Sequence, residues 1–255
     1  MDTDSGYAAI SQRLTKALRL PQPPVAICFA SNAPEGAEHP ASPVPAGCRF
    51  WQDGATKVIA TNAVDHASCA IGVYTHHLAS SQRQQQDLAD ALGVFRDLGY
   101  VRDEDLPLIP VLDANPAYVV YSPLSKTPTS PDVVILLANA NQVLILTEAA
   151  QQVEGRETLA MGRPACAVVP QVKNSGRAAL SLGCCGARRY LDVLDDSTAI
   201  FAIPGGKLES YTQRIEALAH ANSTLSNFHD VRRRQFERGG TPTVRESLEA
   251  LQAGQ

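Results

Sequence analysis

Six cysteines are spread through the 255 residues, and no two of them form a Cys-x-x-Cys pair. Local spacing therefore does not mark a metal site, and any shared site must be assembled by folding. An excess of positive charge is also lacking. The net charge is −4, which gives no reason to expect nucleic acid or an anionic membrane as a partner. The one basic run, Arg232 to Arg234, reads as a solvated helix face. No Ser-His-Asp set and no glycine-rich dinucleotide motif occurs, and Gly205-Gly206-Lys207 lacks the rest of a phosphate loop. The first twenty residues have no basic segment followed by a continuous apolar one, so they do not read as a signal peptide. The longest apolar stretch, "VVILLANANQVLILTEAA", is interrupted by Asn139, Asn141 and Gln142 and is too polar to span a bilayer. These absences predict a cytoplasmic protein with reduced thiols, in which recurring cysteines point to metal or catalysis before disulfides.

What is present is an ordinary globular composition, 44% hydrophobic and 19% charged, with no low-complexity linker. The expectation is a single α+β domain over 1–255. Periodicity predicts a helix over 5–20 that ends at "PQPP", then a strand at 25–30. A loop over 31–47 follows, then a short helix at 48–52, a turn at Asp53-Gly54 and a strand at 57–61. A helix begins near Ser68 or Ala70, with Asp65 or Ser68 as its cap. Leu88, Leu92, Phe95 and Leu98 mark a further helix stopped at Gly99. Strands are expected at 117–124, 132–138 and 199–205, and helices over 141–152, just before Pro170, and after Gly206. A helical tail over 223–255 holds two segments, 223–237 and 242–252.

The chain also echoes itself. Pro24 precedes "VAICFAS", and later come "CRF" and "SCAIGVYTHHL"; Pro131 precedes "DVVILLAN", and later come "ACAVV" and "GCCGARRYLDV". Each half thus runs from an apolar strand to a first cysteine, Cys48 or Cys166, and then to a second, Cys69 or Cys184. The expectation is an internal repeat, 24–80 and 131–206, with two half-domains packed so that four thiols meet.

These same segments carry a resemblance. "CRFW", "DHASCAIGVYTHHL", "PACAVV" and "SLGCCGARRYLDVLDDSTAIFAIPGGKLE", in that order from about Pro24 to Leu218, resemble the uncharacterised domain-of-unknown-function-169 family. The resemblance implies a compact mixed α and β domain and no established activity. Two departures stand out. Cys69-Ala70-Ile71-Gly72 replaces a Cys-Pro-x-Gly pattern, and Gly183-Cys184-Cys185-Gly186-Ala187-Arg188 replaces Gly-Cys-Tyr-Gly-Cys-Arg.

Three chemistries fit the residues. In the first, Cys48, Cys69 and Cys184, with Cys166 as fourth, ligate an iron–sulfur cluster, or alternatively zinc. Cys185 is then a spare, an alternative fourth ligand or a buried side chain, and Cys28 inside "VAICFA" is core. In the second, Cys69 at a helix N-terminus, with His66 as base, acts as a nucleophile without metal; Cys184 beside Arg188 and Arg189 is a further candidate. In the third, a small-molecule binding module has no chemistry of its own, and Tyr74, Thr75, His76 and His77 line a pocket between the halves. Arg188 is a candidate to steer an anionic ligand, and a redox partner or a small molecule is the expected partner.

Overall fold

The protein's structure, a computed structural model, describes residues 3–40, 47–66, 68–162 and 164–253. Helix α1 (Thr3–Leu18) ends ahead of the prolines, and strand β1 (Val25–Ala30) begins directly after them. A 3₁₀ turn, Gly47–Arg49, runs into the short helix α2 (Phe50–Gly54), which leads to β2 (Ile59–Thr61). Helix α3 (Ala70–Thr75) and helix α4 (Gln82–Asp97) follow. Ser81 starts α4 with a reciprocal capping box to Gln84. Strands β3 (Tyr118–Pro123) and β4 (Val133–Asn139) come next, and Asn139 with Gln142 forms the capping box of α5 (Ala140–Glu154). Then come β5 (Leu159–Met161), the 3₁₀ turn Ala165–Ala167, α6 (Val168–Ser175), β6 (Ala179–Ser181), a π-helical turn Gly186–Tyr190, and β7 (Thr198–Pro204). Asp195 closes the turn before β7 by accepting from the Ser197 amide and hydroxyl, each at 2.7 Å. Helices α7 (Leu208–Glu237) and α8 (Val244–Ala253) end the chain.

The fold is α+β. Its mixed sheet runs in the order β2-β3-β1-β4-β7-β6-β5, and only β5 and β6 pair in parallel. At the centre β1 and β4 are antiparallel, with Ala26 opposite Val134 and with Val25 and Ile27 opposite Ile135 and Val133. From there the order is alike in both directions: β1, β3, β2 on one side and β4, β7, β6 on the other. At the far ends of β3 and β7, Leu124 donates to the carbonyl of Pro24 and Gly205 to that of Asp132, at 2.9 and 3.0 Å. Leu159 pairs in parallel with Ala179, and an isolated parallel bridge joins Glu38 to Ile59.

Side-chain alternation divides the sheet into two apolar faces. Ala26, Val134, Leu136, Phe201 and Ile203 pack beneath α1, α5 and α7, meeting Leu14, Leu146 and Ile215. Val25, Ile27, Tyr121, Val133, Ile135 and Ala202 face the other way, toward Phe50, Trp51, Cys48, Cys166 and Val168. Full burial of such a side chain is worth roughly 1.5–3 kcal/mol, so both layers are needed to hold the sheet. The helical layer anchors one face and leaves the short cysteine-bearing segments to cover the other.

Several local expectations are corrected. Asp53 and Gly54 belong to α2 and not to a separate turn. The residue before α3 is Cys69; Asp65 instead accepts from the Asn62 amide at 2.8 Å. Pro170 does not stop α6: it lies near the helix start, where a missing N–H is tolerated, and Gly176 at φ 63° ends the helix. The tail does not begin a new helix at 223, because α7 is continuous over its 30 residues. Residues 41–46 of the expected loop lie outside the described residues.

Candidate functional site

Two of the three buried thiols, Cys48 and Cys166, stand in matching local structures. Cys48 is the middle residue of the 3₁₀ turn before α2, and Cys166 is the middle residue of the 3₁₀ turn before α6. Cys69 immediately precedes α3, and Cys184 follows β6 at the entry to the π-helical turn. The two 3₁₀ turns pack on each other and on α3. All four cysteines line one cavity of about 560 Å³, with the exposed Cys185 on its wall. Each of the four acts electrostatically on the other three. Cys28 is buried on the opposite face of the sheet with Ala60 and Val120.

Burial raises the thiol pKa values of Cys48, Cys166 and Cys69, and charge on neighbouring sulfurs raises them further. Backbone N–H groups of Gly47 and Gly72 act in the opposite direction on Cys69. The Ala187 amide donates to Cys184 Sγ at 3.5 Å, and the Thr75 hydroxyl lies 3.3 Å from Cys166 Sγ. Gly183 holds φ 81°, and a Cβ there would sit 2.7 Å from Leu194, so the glycine ahead of Cys184 is required by both conformation and space. Without a cation Cys48, Cys69 and Cys166 stay protonated at neutral pH; a metal centre would displace their protons. Among the described residues, no group of three or more His, Cys, Asp or Glu side chains is arranged so as to hold a metal ion.

A family-level match to DUF169, described as uncharacterised ArCR, covers residues 13–214. The chain belongs to the DUF169 family. No curated protein matches it, and neither does any solved structure. The span matched in this DUF169 chain contains the whole sheet and all six cysteines, and it ends within α7.

Around the thiols of this DUF169 protein lie buried polar atoms, of His66, which the sequence offers as a base, and of Tyr121, which sequence reasoning did not find. His66 is fully buried; its Nε2 is 3.2 Å from Thr61 Oγ1, and its Nδ1 has no partner among the described residues. A Cβ on Gly72 would lie 2.8 Å from Cys69 Sγ and 3.3 Å from His66 Nδ1, so thiol and imidazole flank one glycine. The Tyr121 hydroxyl is buried and has no partner among the described residues, and burial and then Cys166, Cys69 and Cys48 raise its pKa. Burial, helped by His76, lowers the His66 pKa to about 3. A neutral, desolvated imidazole beside a thiol pushed upward is the reverse of an activated thiolate–imidazolium pair.

The remaining candidates separate. Tyr74 lines the cavity. His76 and His77 turn away from it, their Nδ1 atoms 2.9 Å from the carbonyls of Gly72 and Leu112. Arg188 is not among the residues lining the cavity; its guanidinium donates to the carbonyls of Leu182, Thr198 and Asp195, which fastens the cysteine turn to the start of β7. No helix among the described residues is long and apolar enough to cross a membrane.

Proposed function

We propose that this protein binds a cysteine-ligated iron–sulfur centre through Cys48, Cys69, Cys166 and Cys184, at the junction of two matching halves, for a redox or small-molecule role. The observation that carries the reading is the meeting of four sequence-distant thiols on one cavity wall, each within electrostatic reach of the others. Four thiolates are the donor set of common iron–sulfur clusters. A lone tetrahedral zinc, with Zn–S bonds of about 2.3 Å, would need sulfurs within about 4 Å of one another. Inward amides at Gly47, Gly72 and Ala187 suit an electron-rich cluster, whose potential depends on hydrogen bonds to sulfur.

The two halves are read as a duplication. The central Ala26–Val134 pair, the alike strand order on both sides of it and the two end bonds, to Pro24 and Asp132, support that reading. Each half would then contribute one cysteine from a 3₁₀ turn and one from the turn after its third-ranked strand. The test is purification without oxygen, followed by iron, acid-labile sulfide and zinc analysis. Brown protein with stoichiometric iron and sulfide, lost in Cys48→Ser and Cys166→Ser, is the expected result. Colourless protein that takes up neither iron nor sulfide on reconstitution would end the proposal, and stoichiometric zinc would replace the cluster with an ion.

A further inference from the structure

We infer that the cavity over the thiols is a binding site for an uncharged, predominantly apolar small molecule. The inference goes beyond the proposed metal centre and does not depend on it. Helix α4 carries it. Leu88, Leu92 and Phe95 repeat at helical spacing on one side of α4, and all three line the cavity. They are half-buried, yet among the described residues they join none of the packed hydrophobic clusters. Gln84 is the only buried residue of this 16-residue helix. An amphipathic helix ordinarily turns its apolar stripe onto a core. Here the stripe is turned onto a void of about 560 Å³, within the range of small-molecule pockets.

The chemistry of the walls selects the ligand. Val101, Ile109 and Ile71 extend the apolar lining, and the floor is formed by the thiols. Asp105 is the one charged side chain among the described lining residues, and Arg102 pairs with it at 2.7 Å. A charged ligand would therefore lose water without gaining a counter-charge, whereas an apolar one would cover Leu88, Leu92 and Phe95. The symmetry of the sheet adds to this. The segment from α4 to β3 interrupts one half only, so α4 is a cover added over the thiols and not a part of the strand framework.

The test is a fluorescence titration of the full chain with the neutral dye N-phenyl-1-naphthylamine and the anionic dye 1-anilinonaphthalene-8-sulfonate. Saturable enhancement by the neutral dye is expected, with the anionic dye about tenfold weaker or worse, since its charge would be buried unpaired. Leu92→Glu should weaken the neutral dye by about tenfold or more, through the same unpaired charge. Val94→Glu adds an equal charge on the exposed side of α4 and should leave binding unchanged. If Leu92→Glu does not fold, as read by its melting transition, Leu88→Gln takes its place. Absence of enhancement in the wild type, equal binding in the Leu92 and Val94 variants, or tighter binding of the anionic dye would each overturn the inference. Iron and sulfide are assayed on the same samples. Dye binding without metal sinks only the proposed centre, and metal without dye binding sinks only this site.

Discussion

Gly47→Ala probes the closest packing next to the thiols. A Cβ at Gly47 would stand 2.6 Å from both Cε1 and Nδ1 of His66, whereas ordinary contact begins near 3.4 Å. One side must therefore shift by about 0.8 Å to restore van der Waals separation. The imidazole has little room to do so. It is fully buried, held near Thr61 at 3.2 Å, and edge-on to Phe50 with ring centroids 4.9 Å apart. Overpacking of this kind costs about 1–3 kcal/mol. At about 2–4 °C per kcal/mol for a chain of this size, the melting temperature should fall by about 2–12 °C. The Gly47 amide also faces Cys69, and Cys48 is the next residue, so if the proposed centre is present its retention should fall with stability. Gly93→Ala, in the middle of α4 with nothing within 4 Å of the new methyl group, is the control of opposite sign. It should gain about 0.4–1 kcal/mol by restricting the unfolded chain. Differential scanning calorimetry of the two variants decides the matter: a Gly47→Ala protein that melts at or above wild type would refute the packing argument.

Three further outcomes are expected. Gly205→Ala places a Cβ 1.7 Å from the Pro131 carbonyl oxygen, a clash of backbone with backbone that also strains the Gly205–Asp132 bond, so a loss of about 3 kcal/mol or more is expected; soluble yield and melting would show it. Tyr121→Phe removes a buried hydroxyl that has no partner, so stability in urea should stay within about 1 kcal/mol of wild type or rise; a loss above about 2 kcal/mol would mean that the hydroxyl is satisfied in the folded protein. Arg13 joins α1 to α7 through Glu209 and Glu216 at 2.9 and 2.7 Å, and both pairs are partly exposed, so Arg13→Ala should cost at most about 1 kcal/mol. The bond from Arg13 holds the Glu209 carboxyl below its ordinary value, so this contribution is present above the ordinary glutamate pKa and fades as pH falls through the lower folded value. The wild-type advantage over Arg13→Ala should therefore narrow between pH 7 and strongly acidic buffer, and an advantage that widens on acidification would contradict the pairing.

The legible part of the fold was the part with long, unambiguous patterns. Strands β1, β4 and β7 stand out because five or six apolar residues run together, and α1, α4 and α5 because their periodicity is sustained. Strands β5 and β6 have three residues each, too few for a period of two to register, and so went unread. Pro170 misled because a helix-breaking residue is harmless at the first turn. Cys48, Cys69 and Cys184 could be singled out by their polar and glycine neighbours, whereas Cys166 in "PACAVV" and Cys28 in "VAICFA" both have apolar ones, so neighbours alone did not separate a cavity-lining thiol from a core one. Thr75 reads from the sequence as a pocket-lining residue but instead stands against Cys166 Sγ and does not line the cavity, and Tyr121 and the cavity face of α4 could not be recognised, because their relation to the thiols exists only once the strands are in register. The apolar row on α4 was visible, but a row that faces a cavity and a row that faces a core have the same sequence pattern.

The unequal spacings of the cysteines and their common destination have one physical explanation. Strand pairing fixes the position of each 3₁₀ turn far more strictly than the loops between them do. With Ala26 opposite Val134 at the sheet centre, the turns of Cys48 and Cys166 are delivered to the same face from opposite sides, whatever the intervening chain lengths. Loops can then lengthen at little entropic cost, and on the duplication reading the segments holding α4 and α5 are such additions, one to each half. On the duplication reading, the floor of the cavity inherits the symmetry of the sheet, whereas its cover comes from α4 and the segment after it. Chemistry and selectivity would thus reside in separable parts of the chain: cysteine substitutions should change what is held at the floor, and α4 substitutions should change which molecule reaches it.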